Sequence, residues 1–232
     1  MSQAGGGTAD GVRVCVLDVN ETLSDLTALV PRLVEVGLAA GDLEPWFTGV
    51  LRDGFALTLM GRRPLFREVA AAGLGLRLVA AGVPASDDAV AHVLAGFAAL
   101  KLHPDVAPGL RRMHERGLVL VPLTNGATAM SDRMFADAGV LDLFTHRLSV
   151  EQVGPWKPHH APYELAVRTT GVAPDRAVLV AVHPWDLAGA AAAGLRTAWI
   201  DREGTDAWPD CFDPPDLRAS GLDDLAERLP AA

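Results

Sequence analysis

Val14-Cys15-Val16-Leu17-Asp18-Val19-Asn20-Glu21-Thr22-Leu23 joins an apolar run too short for a helix to an acid, with a hydroxyl four residues after that acid. A buried strand that ends on Asp18 delivers a carboxylate to the carboxyl edge of an open α/β sheet, where such sheets keep their ligands. Thr22, in the following turn, can hydrogen-bond that carboxylate and hold one oxygen forward as a nucleophile. Taken alone, the fragment also fits a surface turn with an incidental acid. Three later fragments decide between the two.

The bulk of the chain bounds the answer. Its 232 residues can bury a real core, and its formal net charge of -9 argues against nucleic acid, which needs a basic face. No basic amphipathic stretch suggests a membrane surface, and apolar runs such as 178–182 are too short to span one. Residues 1–11 are Gly-rich and lack an apolar segment, so they read as a disordered lead and not a signal peptide. The two cysteines, one in the first strand and one in a Pro/Asp-rich tail, do not look like a disulfide pair. The expectation is a soluble, cytoplasmic protein acting on a small molecule.

Outward from Leu23 the texture becomes helical for about eighty residues. Leu26, Leu29, Val30, Leu33 and Val34 form an apolar stripe that Pro31 kinks or restarts. Further helices are expected over 42–60, over 64–72, and from Ser86-Asp87-Asp88 to about Leu100. From His103 onward strands and helices alternate: strands at 118–123, 177–182 and 197–200, helices at 108–116, 129–138, 161–170, 187–193 and 222–229. Fully apolar strands between helices imply a parallel sheet covered on both faces. The division expected is a discontinuous α/β core, 12–24 with 103–232, carrying a helical insertion over 25–102.

Three fragments then carry chemistry. Thr124-Asn125-Gly126 ends a strand with a hydroxyl, an amide and a permissive glycine, a turn suited to a developing negative charge. Trp156-Lys157-Pro158 holds a lysine in a rigid turn, with Tyr163 six residues on; a lysine beside Asp18 would keep it ionised. His183-Pro184-Trp185-Asp186 ends another strand and brings a second acid to the same edge, although Asp186 could also simply cap a helix.

In this order and spacing, these fragments resemble the four motifs of the haloacid dehalogenase-like hydrolase superfamily, over residues 12–229. Leu59-Met60-Gly61-Arg62, the Lys157/Tyr163 spacing and Trp185-Asp186-x-x-Gly189-Ala190 resemble its L-2-haloacid dehalogenase (type II) branch most. The resemblance implies a Rossmann-like core with a helical cap between the first strand and the second motif. It also implies a hydrolase with Asp18 as nucleophile, positioned by Thr22, Thr124 and Asn125, and with Lys157 and Asp186 completing the apparatus. Asn20, Phe47, Tyr163 and His183 would face the substrate, no metal would be needed, and a homodimer is possible.

The departures are informative. Asn20 stands where the dehalogenases carry Tyr and the phosphatases an acid, and an amide is no general acid. Phe47 follows the cap tryptophan, Trp46, where the dehalogenases carry an arginine for the substrate carboxylate and halide. Arg52 lies about 140° around a helix from Phe47 and cannot stand in for it. Ala181-Val182-His183-Pro184 replaces the family's Ser-Ser-Asn. A larger or less anionic substrate than a short 2-haloacid is therefore expected. The alternatives are a magnesium-dependent phosphohydrolase, with Asp18, Asp186 and the Asn20 carbonyl on the metal, and a non-catalytic metabolite-binding relative.

Overall fold

The computed structural model describes residues 11–229; of the lead read at 1–11, all but Gly11 lies outside the described residues. In chain order the first half runs β1 (Val14–Leu17), β2 (Ser24–Asp25), α1 (Val30–Glu35), α2 (Leu43–Leu59), α3 (Phe66–Ala80), α4 (Asp87–Leu94) and β3 (Lys101–Leu102). The second half runs α5 (Val106–Glu115), β4 (Val119–Thr124), α6 (Thr128–Asp137), β5 (Leu148–Ser149) and α7 (His160–Thr170). It ends with β6 (Ala177–Ala181), α8 (Pro184–Ala192), β7 (Arg196–Ile200), β8 (Leu217–Ala219) and α9 (Leu222–Arg228).

β1 is apolar throughout because it has neighbours on every side. The sheet order is β5-β4-β1-β6-β7-β8, with every pairing parallel. Leu17 is level with Pro122 on one side and Val180 on the other. Side chains alternate between two cores. Cys15 and Leu17 join the larger one, with Leu110, Met113 and Leu225 of α5 and α9. Val14 and Val16 join the second, with Tyr163, Ala166, Leu187 and Ala190 of α7 and α8. The chain leaves β1 for β4 on one side and later reaches β6 on the other. That reversal opens a crevice at the carboxyl end of β1.

The architecture is the expected one, a Rossmann-like α/β sheet with an inserted helical cap. The insertion leaves and returns through β2 and β3, which pair antiparallel with Ser24 opposite Leu102. These two-residue strands carry no periodicity, so the sequence shows them only as the edges of a helical block. Pro31 falls in the first turn of α1, where a missing N–H costs nothing. α3 runs well past the expected end near residue 72, because Leu74 and Leu78, beyond that point, are buried in the core and carry the helix on through its glycines. Ser86 caps α4 by accepting from the Ala89 N–H at 3.2 Å. Among the described residues, no helix is long and apolar enough to cross a membrane.

Cap and core meet on Trp156, which is fully buried. Its indole N–H donates to the Pro64 carbonyl at 2.8 Å, its backbone N–H to Thr58 Oγ1 at 3.1 Å, and Phe66 stacks on its ring at 5.9 Å. Gly54 of α2 lies against the ring so closely that a Cβ would collide with it. Gly54→Ala should therefore destabilise the protein by about 1–3 kcal/mol, the usual cost of overpacking. Gly49→Ala, on the same helix with only the Arg52 side chain within 4 Å, should instead stabilise by up to about 1 kcal/mol through helix propensity. Urea midpoints of the two variants, moving in opposite directions, check the contact.

Candidate active site

Asp18 is the first residue beyond β1, and its N–H donates to the Val180 carbonyl at 3.0 Å. The turn that follows is braced from several directions. Thr22 Oγ1 donates to Asp18 Oδ2 at 2.6 Å and accepts from the Val182 N–H at 3.1 Å. Arg202 Nη2 donates to the Thr22 carbonyl at 2.6 Å, and His103 Nε2 lies 3.1 Å from the Glu21 carbonyl. Arg202 is itself held by Asp105 at 2.6 Å. Glu21 needs these braces: its φ of 63° is left-handed, a conformation that costs a non-glycine residue about 1–3 kcal/mol.

Lys157 completes the arrangement. Its backbone N–H donates to Asn125 Oδ1 at 3.0 Å, and its Nζ lies 2.7 Å from Asp18 Oδ1 and 2.7 Å from Asp186 Oδ2. The ammonium is completely buried. Asp186, in the first turn of α8, accepts a second bond at Oδ1 from the Tyr163 hydroxyl at 2.6 Å. The close fit requires Gly189, where a Cβ would stand 2.6 Å from Pro158 Cβ and 2.7 Å from the Tyr163 oxygen.

The electrostatics follow from burial and pairing. Burial alone would raise the pKa of Asp18, but Lys157, His183 and the Thr22 hydrogen bond outweigh it and hold the group below the ordinary carboxylate range. Burial would strip the proton from Lys157, yet its two carboxylates keep it charged and raise its pKa. Asp186, more deeply buried and facing Asp18, is pushed up. Burial, then the Asp186 charge, pushes Tyr163 well above its usual value, so its hydroxyl remains a donor. At neutral pH the centre holds an ionised Asp18 with Oδ2 toward Thr22 and His183.

The structure brings Asp18, Thr22, Lys157, Tyr163, Asp186 and His183 together. Thr124 and Asn125 contribute otherwise than expected: Thr124 Oγ1 accepts from the Gly126 N–H at 3.0 Å, and Asn125 anchors the Lys157 backbone. Tyr163 is fully buried, so it holds Asp186 rather than lining a pocket. Phe47 packs inside the cap against Phe66, 6.3 Å between ring centres, and Arg52 turns to solvent beside Asp53. Asn20 is half-buried and bridges to Ser24, lining a small cavity with Thr124, Phe66 and Met130.

Glu21, Trp185, Arg202 and His103 belong to the surroundings of the site without having been singled out, or with no role assigned. Arg202 follows the carboxyl end of β7, the edge that carries Asp18, and that position was its only signal in the sequence.

The magnesium alternative meets a simple obstacle. Both oxygens of Asp186 are engaged, by Lys157 and Tyr163, and those of Asp18 by Lys157 and Thr22. This donor set does not fit a divalent cation bound between the two acids.

The family model for haloacid dehalogenase-like hydrolases matches residues 12–194. The chain belongs to that family. It is an enzyme of the hydrolase class, and its relatives place it with the L-2-haloacid dehalogenases. It is 30% identical to the (S)-2-haloacid dehalogenase of Pseudomonas sp. (strain YL), over 96% of this chain and 97% of that one. A solved L-2-haloacid dehalogenase superposes with a TM-score of 0.86 at 28% identity, covering 94% of this chain and 99% of the other. A phosphoserine phosphatase of Thermus thermophilus matches at 35% identity, but over only 55% of this chain and 52% of its own.

Removing the ammonium exposes its structural role. Lys157→Met leaves two buried carboxylates without their cation and should cost about 3–5 kcal/mol. Adding Asp18→Asn removes one of the stranded charges, so the double variant should recover part of that loss. A thermodynamic cycle from urea unfolding checks the coupling, and strict additivity would show that Lys157 does not serve both acids.

Proposed function

We propose that this hydrolase displaces a halide, or a comparable leaving group on carbon, through a covalent ester on Asp18 and without a metal. The observation that carries this reading is the buried Lys157 ammonium 2.7 Å from both Asp18 and Asp186. One fixed positive charge holds the nucleophile ionised, and displacement at carbon asks for no more than that at the attacking oxygen. Phosphoryl transfer spreads charge over several oxygens and generally calls for metal ions as well.

The reaction runs in two halves. An Asp18 oxygen attacks the carbon, the carbon–halogen bond breaks, and halide departs. Water then adds to the carboxyl carbon of the ester, the bond to the alkyl oxygen breaks, the alcohol leaves with one of the water protons, and Asp18 returns to a carboxylate as the other proton passes to solvent. Thr22 orients Asp18, Tyr163 and Lys157 orient Asp186, and Asn125 sets the Lys157 turn. The cap, residues 25–102, covers a core made of 12–24 and 103–232.

The (S)-2-haloacid dehalogenases among its relatives suggest the substrate class, and the local charges modify it. Phe47 supplies no charge, while Glu21, with Glu44 acting on it, adds negative potential beside Asp18. These features support a substrate larger or less anionic than a short 2-haloacid. Exposed Leu59, Met60, Leu76 and Val79 on the cap support a homodimer formed there. Two unpaired cysteines, Cys15 and Cys211, support a cytoplasmic location.

Halide and phosphate release across a substrate panel, with magnesium or with chelator, tests the proposal. Halide release should be insensitive to chelator, weak on short 2-haloacids, and abolished by Asp18→Asn with the fold intact. Phe47→Arg should raise activity on short haloacids only if the cap tolerates a guanidinium at this buried position, so its urea midpoint is read alongside. Turnover that chelation eliminates and magnesium restores would replace this mechanism with the phosphohydrolase one.

A further inference from the structure

Two cavities adjoin where the cap meets the turn after β4. The inner one, about 20 Å³ and room for a single water, is bounded by Val19 and Asn20, the two residues after Asp18, and by Thr124 and Gly126. The outer one, about 270 Å³, lies between α3, α4 and the 3-10 helix Ala95–Ala99. Phe66, Phe97 and Met130 line both cavities and so form the wall between them.

The three side chains of that wall are held differently. Phe66 is buried, stacked on Trp156 and set edge-on to Phe97 at 5.4 Å. Phe97 in turn meets Trp46 at 6.1 Å. Neither ring can swing without breaking these contacts. Met130, in the first turn of α6, is half-buried and unbranched, so it can change rotamer at small cost.

Charge distinguishes this opening from another near the site. A cavity of about 370 Å³ at the carboxyl end of β7 has Glu21, Asp201 and Glu203 in its walls, and its Arg202 is paired with Asp105. A carboxylate is repelled there. The outer cavity beside Met130 has the opposite sign. Arg67 is exposed, forms no ion pair among the described residues, and is the one charged residue among those lining this cavity. In a chain of net charge -9, an unpaired cation at a cavity mouth raises the local concentration of an anion.

We propose that a carboxylate substrate enters between Phe66, Phe97 and Met130, with Arg67 drawing it to the mouth and Met130 setting the size that passes. The proposal rests on the haloacid reading of the site given above. With Met130 turned outward the two cavities become one passage to the residues flanking Asp18. With it turned inward the inner chamber is closed and keeps only a single water.

The test plugs the passage. Met130→Cys places a thiol in the wall. The native thiols supply the control: Cys211 is exposed, while Cys15 is buried with its pKa pushed up to about 12, so the wild type should take a single label. Both proteins are treated with methyl or benzyl methanethiosulfonate, counted for labels by intact mass, and assayed for bromide release from (S)-2-bromopropionate. The methyl disulfide restores a side chain of methionine's length, and activity should stay within about twofold of the unlabelled variant. The benzyl disulfide should lower it about tenfold or more, as closing a route of access does, and dithiothreitol should restore it. The wild type labelled at Cys211 should be unaffected. Adding Arg67→Gln should lower the ratio of labelling rates at the introduced thiol, anionic sulfonatoethyl over cationic trimethylammonioethyl reagent, about threefold at low salt and far less at high salt.

A benzyl-labelled variant as active as the unlabelled one, as entry past Glu21 would leave it, overturns the passage. So does a thiol that the native protein does not expose to reagent, or a methyl label that inactivates as fully as benzyl. An unchanged ratio of labelling rates overturns the role of Arg67. Unlabelled wild type that releases no bromide would overturn the haloacid reading instead, and the labelling rates would still decide whether the passage exists.

Discussion

A buried ammonium bound to two buried carboxylates is the constraint on which the rest of this structure depends. Taking such charges out of water costs several kcal/mol per ion, and only close geometry with additional hydrogen bonds repays it. Lys157, Asp18 and Asp186 meet that condition, and the one surplus negative charge is met by two hydroxyl donors, Thr22 and Tyr163. Each member comes from a different part of the chain: the end of β1, the turn before α7 and the first turn of α8. The parallel order of β4, β1 and β6 is what brings those three points to a single edge.

The same residues that place Lys157 also place the cap. Trp156, its neighbour in sequence, takes hydrogen bonds to Thr58 and Pro64 of the insertion and fills the space left by Gly54. Any movement of α2 is therefore felt one residue away from the ammonium. Thr22 couples the other side: its hydroxyl bonds both Asp18 and the backbone at Val182, next to His183. Nucleophile, cation and histidine are in this way referred to one rigid frame, which is what a reaction needing sub-ångström placement requires.

The charge distribution gives this member of the family a character of its own. Phe47, beside the cap tryptophan, is an apolar ring packed within the cap and offers no charge to a substrate. Glu21 adds an acid beside the nucleophile, at a backbone conformation that resists side chains. The Asp18–Lys157–Asp186 geometry, set beside an apolar ring and an additional acid, separates two demands: making the nucleophile, and choosing what it attacks.

The alternation of apolar strands and helices, the acid ending β1 and the order of the later motifs were legible in the chain, because each is a local pattern of period, punctuation and spacing. The helical insertion was legible too, although α3 ran further than its glycines suggested. What escaped was everything that depends on approach between distant segments. β2 and β3 are two residues each and exist only because they pair with one another. Thr124, Asn125, Phe47 and Tyr163 are where the motifs put them along the chain, but which way their side chains turn is settled by packing. Glu21 looked like a residue between two others, since a left-handed φ in a non-glycine residue is imposed by its partners and leaves no trace in its own neighbourhood. The chain by itself determined which groups arrive at the sheet edge. Only the tertiary structure decided which of them touch, because burial and desolvation act on distances that sequence spacing does not contain.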